Sequence, residues 1–289
     1  MLGRITREAE KLTINGSGIQ GIQSLTASYS SVAVPASNLG INSIQYYPQG
    51  PQQANLEVNT LLTHFLPEIN EFSAYESRDP LQNFTGTLPF SGVVDHGSKQ
   101  FYFTEGYLET YSVNCGIGEI PQASMSSVIY GNFGTGAKFN SWAESSATSP
   151  ALNVTSYGSM EITLHPPNYS NLDTFTTNRV KSFDVNIATP RLPLYAIGND
   201  EPTGVIAGSP VEVNVNFEIA PDDYEIENMR LISSETTFKN TVITLKKNDS
   251  HDILIRYSFD DMLLTSESFN GGADSDASVR FNLRSFILR

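Results

Sequence analysis

The sequence predicts a mainly β chain made of two tandem β-rich units. Three observations carry that expectation: a tract that recurs late in the chain, strands whose apolar residues occupy every second position, and a composition with only 17% charged residues. The 289 residues suffice for one large or two ordinary domains with real cores.

The repeat comes first because it sets the domain count. Residues 22–30 (IQSLTASYS) overlie 180–188 (VKSFDVNIA) at an offset of 158, which also brings Leu39-Gly40 onto Ile197-Gly198. Leu56-Glu57-Val58-Asn59 matches Val211-Glu212-Val213-Asn214 at an offset of 155. Tyr111-Ser112-Val113 matches Tyr257-Ser258-Phe259 at 146, and Ala123-Ser124-Met125 matches Ala277-Ser278-Val279 at 154. Each match is short, and their shared order is what argues for duplication. The expected units are residues 1–170, with inserted loops, and 178–289, joined by the polar tract 166–177.

Alternation supports the individual strands. Val211, Val213, Val215 and Phe217 point one way and Glu212, Asn214, Asn216 and Glu218 the other, as in a sheet with one buried and one wet face. Phe183, Val185 and Ile187 behave likewise, as do Ala277, Val279, Phe281 and Leu283, and in the first half Leu25, Ala27 and Tyr29. Around Tyr111 the pattern breaks. Glu109 takes the place of Ile255 in the matched tract, which predicts a bulge or a shifted register.

Turn formers such as Pro35-Ala36-Ser37-Asn38, Pro48-Gln49-Gly50-Pro51, Gly271-Gly272 and Asp274-Ser275-Asp276 separate the strands. Helical pattern is confined to Thr6–Leu12, Leu61–Phe72 (interrupted by Pro67) and Asp222–Leu231.

The net charge of −14 is evenly spread, with −7 on residues 1–170 and −7 on 171–289, and no basic patch interrupts it. A grip on nucleic acid or on an anionic membrane needs Lys and Arg against phosphate, so both are argued against. The single Cys115 excludes an intrachain disulfide, and His64, His96, His165 and His251 lack zinc-site spacing. The N-terminal stretch MLGRITREAEKLTINGSG has no signal-peptide core and no run approaches a membrane span. A soluble protein folding in a reducing cytoplasm is expected.

Several of these tracts resemble the tail tube proteins of long-tailed bacteriophages. They are Ile22-Gln23-Ser24-Leu25 to Tyr29-Ser30, the loop ending at Gly40, Leu56-Glu57-Val58, Gly106 to Val113 and Gly118 to Ser124. Phe183 to Ile187, Leu194-Tyr195 with Gly198, and Val211 to Phe217 share the likeness. It covers most of the chain except the long middle inserts and is one of pattern, without a chemically diagnostic motif.

The resemblance implies two β-sandwich or small-barrel tube domains, each with a short flanking helix. It also implies rings of six domains, so for a doubled domain a homotrimer with pseudo-sixfold symmetry. Four inner strands per domain give about 24 strands, a backbone diameter of about 50 Å and about 40 Å inside the side chains. Duplex DNA, about 20 Å across, passes such a bore.

The implied partners are the chain itself, tape measure, terminator and baseplate proteins, a sheath where there is one, and genomic DNA in transit without specific binding. The implied location is the virion tail, assembled in the host cytoplasm, with no membrane and no cofactor. On this reading the acidic residues Glu57, Asp184, Glu212 and Glu218 line the lumen and repel phosphate, the alternative being ordinary solvated sheet faces. The segment Ser31–Gln53, with Pro35, Asn38, Tyr46, Tyr47 and Pro48, is the expected ring-stacking hairpin, the alternative being a plain surface loop. Other functional readings are a distal tail or baseplate hub ring and a carbohydrate- or receptor-binding β-sandwich module.

No catalytic or metal site is expected. Gly131-Asn132-Phe133-Gly134-Thr135-Gly136-Ala137-Lys138 places its lysine one position late for a phosphate loop and lacks the strand-to-helix setting. Asp222, Asp223, Glu225 and Glu227 lack calcium-loop spacing, and Asp95-His96 has no serine in an elbow context. Cys115 reads as a small buried residue, and Trp142 with the tyrosines as core packing before a sugar platform.

Overall fold

The computed structural model describes residues 10–15, 17–19, 21–30, 33–37, 44–48, 53–62, 89–96, 100–134, 155–156, 158–166, 174–197, 201–220, 237–246, 253–272 and 275–287. These residues are mainly β and antiparallel throughout.

The first series of strands is β1 (Glu10–Ile14), β2 (Ser17–Ile19), β3 (Ile22–Ser30), the pair β4 (Ala33–Ser37) and β5 (Ile44–Pro48), β6 (Gln53–Leu61), β7 (Phe90–His96), β8 (Gln100–Gly116), β9 (Gln122–Ile129) and the short β10 (Phe133–Gly134). The second is β11 (Met160–His165), β12 (Phe175–Thr177), β13 (Val180–Ala188), the pair β14 (Arg191–Leu194) and β15 (Gly204–Ala207), β16 (Val211–Ile219), β17 (Thr237–Lys246), β18 (Ile253–Gly272) and β19 (Ser275–Ile287).

One pairing order occurs twice. The first series runs β3, β6, β9, β8, β7, β1, β2 and the second β13, β16, β19, β18, β17, β11, β12. Irregularities recur with it. The β3·β6 register shifts between Ile22 and Ser24, and the β13·β16 register shifts between Val180 and Ser182, 158 residues on. The β8·β9 register shifts between Leu108 and Thr110, and the β18·β19 register between Leu264 and Ser266, 156 residues on. Glu105 and Asp261, also 156 apart, both adopt left-handed φ, at 56° and 51°. A non-glycine residue there is strained, so its recurrence at one position of two strands marks a shared bend.

That bend explains why β8 and β18 are so long. Before it each pairs with β7 or β17, and after it with β9 or β19. The sheet thereby folds over, and side chains from β1, β7, β6 and β9 and from their second-series counterparts meet in one core containing Leu12, Phe90, Val58, Met125, Ile243 and Phe281. Such folding over suits strands with one apolar face, because each part of the sheet covers the other in a sandwich-like packing. At the turn-over Gly106 carries no Cβ because one would sit 2.7 Å from the Phe90 ring.

The two series are continuous. β13 pairs with β8 as well as β16, so β3, β6, β9, β8, β13, β16, β19 and β18 form an eight-stranded antiparallel wall. The Tyr111 and Tyr257 hydroxyls share a buried 2.7 Å hydrogen bond beneath that junction.

Several expectations change, among them the turns expected at Pro35-Ala36-Ser37 and Gly271-Gly272, which lie in β4 and at the end of β18. No helix occurs among the described residues: Glu10–Leu12, the end of the expected helix Thr6–Leu12, is strand β1, held between β2 and β7. Leu61 closes β6, while the rest of Leu61–Phe72 beyond Leu62, and all of Asp222–Leu231, lie outside the described residues. Phe175–Thr177, expected as linker, is a strand paired with β11, and β11, expected within unit 1–170, pairs with β17 of the second series.

Candidate functional site

The wall has two faces of different chemistry. One enters the core through Val58, Met125, Val113, Val185, Val215 and Phe281. The other carries rows of polar side chains placed opposite one another by the antiparallel register. One row runs Asn114, Asp184, Asn216, Asn282, Ser266 across β8, β13, β16, β19 and β18. A second runs Ser24, Asn59, Ser124, Ser112, Asn186, Asn214 across six strands beginning at β3. Such rows form because residues two apart share a face, so an -x-Asn-x-Asn- strand aligns its amides with those of its neighbours.

All four acidic candidates lie on this polar face, in different electrostatic states. Glu57 is exposed on β6 between Thr26 and Ser126. Asp184 accepts a 3.3 Å hydrogen bond from Asn216 Nδ2. Glu212 accepts from Asn214 Nδ2 at 2.8 Å and pairs with Arg284 at 2.9 Å, and these contacts, the amide first, hold its carboxyl below the usual value. Glu218 faces Arg280 at 3.5 Å. The face is therefore richer in amides and hydroxyls than in unpaired negative charge, and its two arginines are engaged by carboxylates. An open cleft of about 470 Å³ on it is lined by Asn114, Asp184, Asn216, Asn282 and Arg280 among others.

The stacking candidates Pro35, Tyr46, Tyr47 and Pro48 lie on the β4·β5 hairpin, where Pro35 faces Tyr46. Asn38 lies outside the described residues. The corresponding hairpin β14·β15 exposes Leu192, Leu194 and Ile206, with Tyr195 and Ile197 just beyond β14, an apolar surface that sequence reading passed over. Its base is anchored on the first series: the Thr189 amide donates to the Glu109 carbonyl at 2.7 Å, Arg191 Nε donates to the Leu108 carbonyl at 2.8 Å, and the Arg191 guanidinium lies over the Tyr107 ring. Glu109 sits in the predicted bulge. Burial raises its carboxyl pKa, offset in part by Arg191.

Cys115 is buried, and burial pushes its thiol up to about 11. A thiol so held is inert as a nucleophile. Asp95-His96 closes strand β7. Residues 135–138 of the glycine-rich tract, Asp222 to Glu227 and Trp142 lie outside the described residues. Among the described residues no three His, Cys, Asp or Glu side chains are grouped to hold a metal ion, and no helix is long and apolar enough to cross a membrane. No family model matches the chain, and no curated protein matches its sequence.

Proposed function

We propose that the chain is a structural subunit of a bacteriophage tail tube, in which copies join edge to edge into rings, rings stack, and DNA passes through the bore. Each strand series is one sandwich-like tube domain, and three chains make a pseudo-sixfold ring. The role is mechanical and not catalytic.

The observation that carries this reading is the strand order. The second series begins by adding β13 to β8, which on this reading is a domain-to-domain junction inside one chain, and the described residues leave an edge strand at each end of the wall. Eight strands per chain supply the four per domain that a ring of about 24 strands needs. Closing the wall also removes edges that would template aggregation.

The polar face supports a low-friction lining. Amides that already donate to side chains across the strands, Asn59 to Ser24, Asn282 to Ser266 and Asn216 to Asp184, and arginines already paired with Glu212 and Glu218, offer phosphate little to hold. The overall charge of −14 repels it. The apolar β14·β15 hairpin and its counterpart β4·β5 are the proposed stacking contacts.

Electron microscopy of the purified protein over a concentration series tests the reading. Rings or tubes with a bore of about 40 Å are expected, and monomers or solid aggregates at every concentration contradict it. Copy number in purified particles separates a tube subunit, present many times, from a hub ring, present once.

A further inference from the structure

We infer that a second copy of the chain binds edge to edge, its β3 lying antiparallel to the 266–272 segment of β18 in the register that β13 and β8 adopt within one chain. This rests on the self-association part of the proposed function and not on passage of DNA.

The recurring bulges and the Glu105/Asp261 bend fix which residues correspond: β3 maps onto β13 with a shift of 158 and β8 onto β18 with a shift of 156. Inside the chain Asp184 faces Asn114, Val185 faces Val113 and Asn186 faces Ser112. Transposed, Thr26 of one copy faces Asn270 of the next, Ala27 faces Phe269, and Ser28 faces Ser268. Direction agrees as well. Eight antiparallel strands alternate, so β18 runs opposite to β3, as β8 runs opposite to β13.

Burial differs between the halves where this pairing requires it. Phe183 and Val185 are 3% and 0% exposed beneath the junction, whereas Ala27, the counterpart of Val185, is exposed and Tyr29 is 46% exposed. On the facing strand Val113 is 1% exposed and its counterpart Phe269 is 61%. A second patch repeats the contrast. Tyr107 and Tyr130, packed with Val205 of β15, are 6% and 4% exposed, while their counterparts Leu263 and Phe286 are 44% and 48%.

Within the chain, then, β13 and the β14·β15 hairpin cover these positions, and at the chain's end the described residues leave them open. A partner with the shape of β3 and β4·β5 is what the surface lacks, and another copy of the chain carries one. Because the two surfaces differ, the contact is head to tail, which yields a closed ring or a filament but not an isolated pair.

Paired cysteines read the register directly. Ser28→Cys with Ser268→Cys, oxidised at assembling concentration, should give intermolecular disulfides at least tenfold above Ser28→Cys with Ser266→Cys, whose Cα atoms would lie too far apart. Asn186→Cys with Ser112→Cys is the intramolecular control at the template junction, and native Cys115 is buried. Oligomers in sedimentation that cross-link off register, or not at all while the control closes, would overturn the register and leave self-association standing. A chain that sediments as a monomer at every concentration would overturn both.

Discussion

The β8·β13 junction and the two outer strands β3 and β18 occupy equivalent places in the repeated strand order, and they differ in what lies beside them as well as at single positions such as Tyr111, which Glu267 replaces. β13 places Phe183, Val185 and Ile187 under the wall and all three are buried. β3 places Leu25, Ala27 and Tyr29 in the corresponding positions, where Leu25 is half-buried and the other two are exposed. Burial here belongs to the neighbourhood and not to the strand. A strand's alternation tells which face wants cover, and only topology tells whether the same chain supplies it.

The comparison is broken most directly by an acidic substitution on either side. Val185→Asp puts a carboxylate at a fully buried position of the junction, and a loss of about 3–5 kcal/mol, read by denaturant unfolding, is expected. Ala27→Asp at the corresponding exposed position should change single-chain stability by less than about 0.5 kcal/mol while abolishing assembly in sedimentation. Equal loss of stability at both would contradict the contrast.

The hydroxyl pair Tyr111/Tyr257 tests the junction more finely. A double-mutant cycle with phenylalanine at each position should return a coupling of about 1 kcal/mol. The bend residues test equivalence. Glu105→Gly and Asp261→Gly each relieve left-handed strain, so each should raise stability by roughly 1 kcal/mol or less, and by similar amounts in thermal unfolding.

The smallest effect concerns acidity. Glu267 corresponds to Tyr111, and although the residue is exposed, partial desolvation of its carboxyl raises the pKa above the ordinary value. The folded chain therefore holds that proton more tightly than the unfolded chain does. Its contribution is fully present below the ordinary carboxylate range and is lost as pH rises through the raised value. Stability should fall slightly over that window, and Glu267→Gln should flatten the profile.

Much of the fold is legible in the sequence, because a half-buried strand shows its faces in alternation. The faces of β13, β16 and β19 follow from alternation, and the misplaced Glu109 announced the bulge at Leu108/Thr110. The repeat was visible at Ile22–Ser30, where the structural shift is the offset read from the residues.

Elsewhere the residue matches slipped. Pairing makes Phe217 the counterpart of Val58, Val279 that of Ala123 and Glu267 that of Tyr111, so the offsets read as 155, 154 and 146 were short by 4, 2 and 10. Every slip is even, because a pattern of period two looks the same after any even shift. Tyr111 and Tyr257, taken for counterparts, are bonded to each other. The start of β1 has a helical look because a short stretch rich in Glu, Lys and Leu has helical propensity, which pairing on both sides overrides. The pairing of Glu212 and Glu218 with Arg284 and Arg280 needed a register that alternation does not supply.

Amide hydrogen exchange at residues 24–29 and 266–271, measured in the dilute chain and again after assembly, tests most directly whether copies join as the two halves do. In both segments the alternate amides that point away from β6 and β19 should exchange quickly in the dilute chain and become protected together on assembly, approaching the protection of 183–187 in either state. Assembled protein whose two edge segments still exchange as they do in the dilute chain would contradict it.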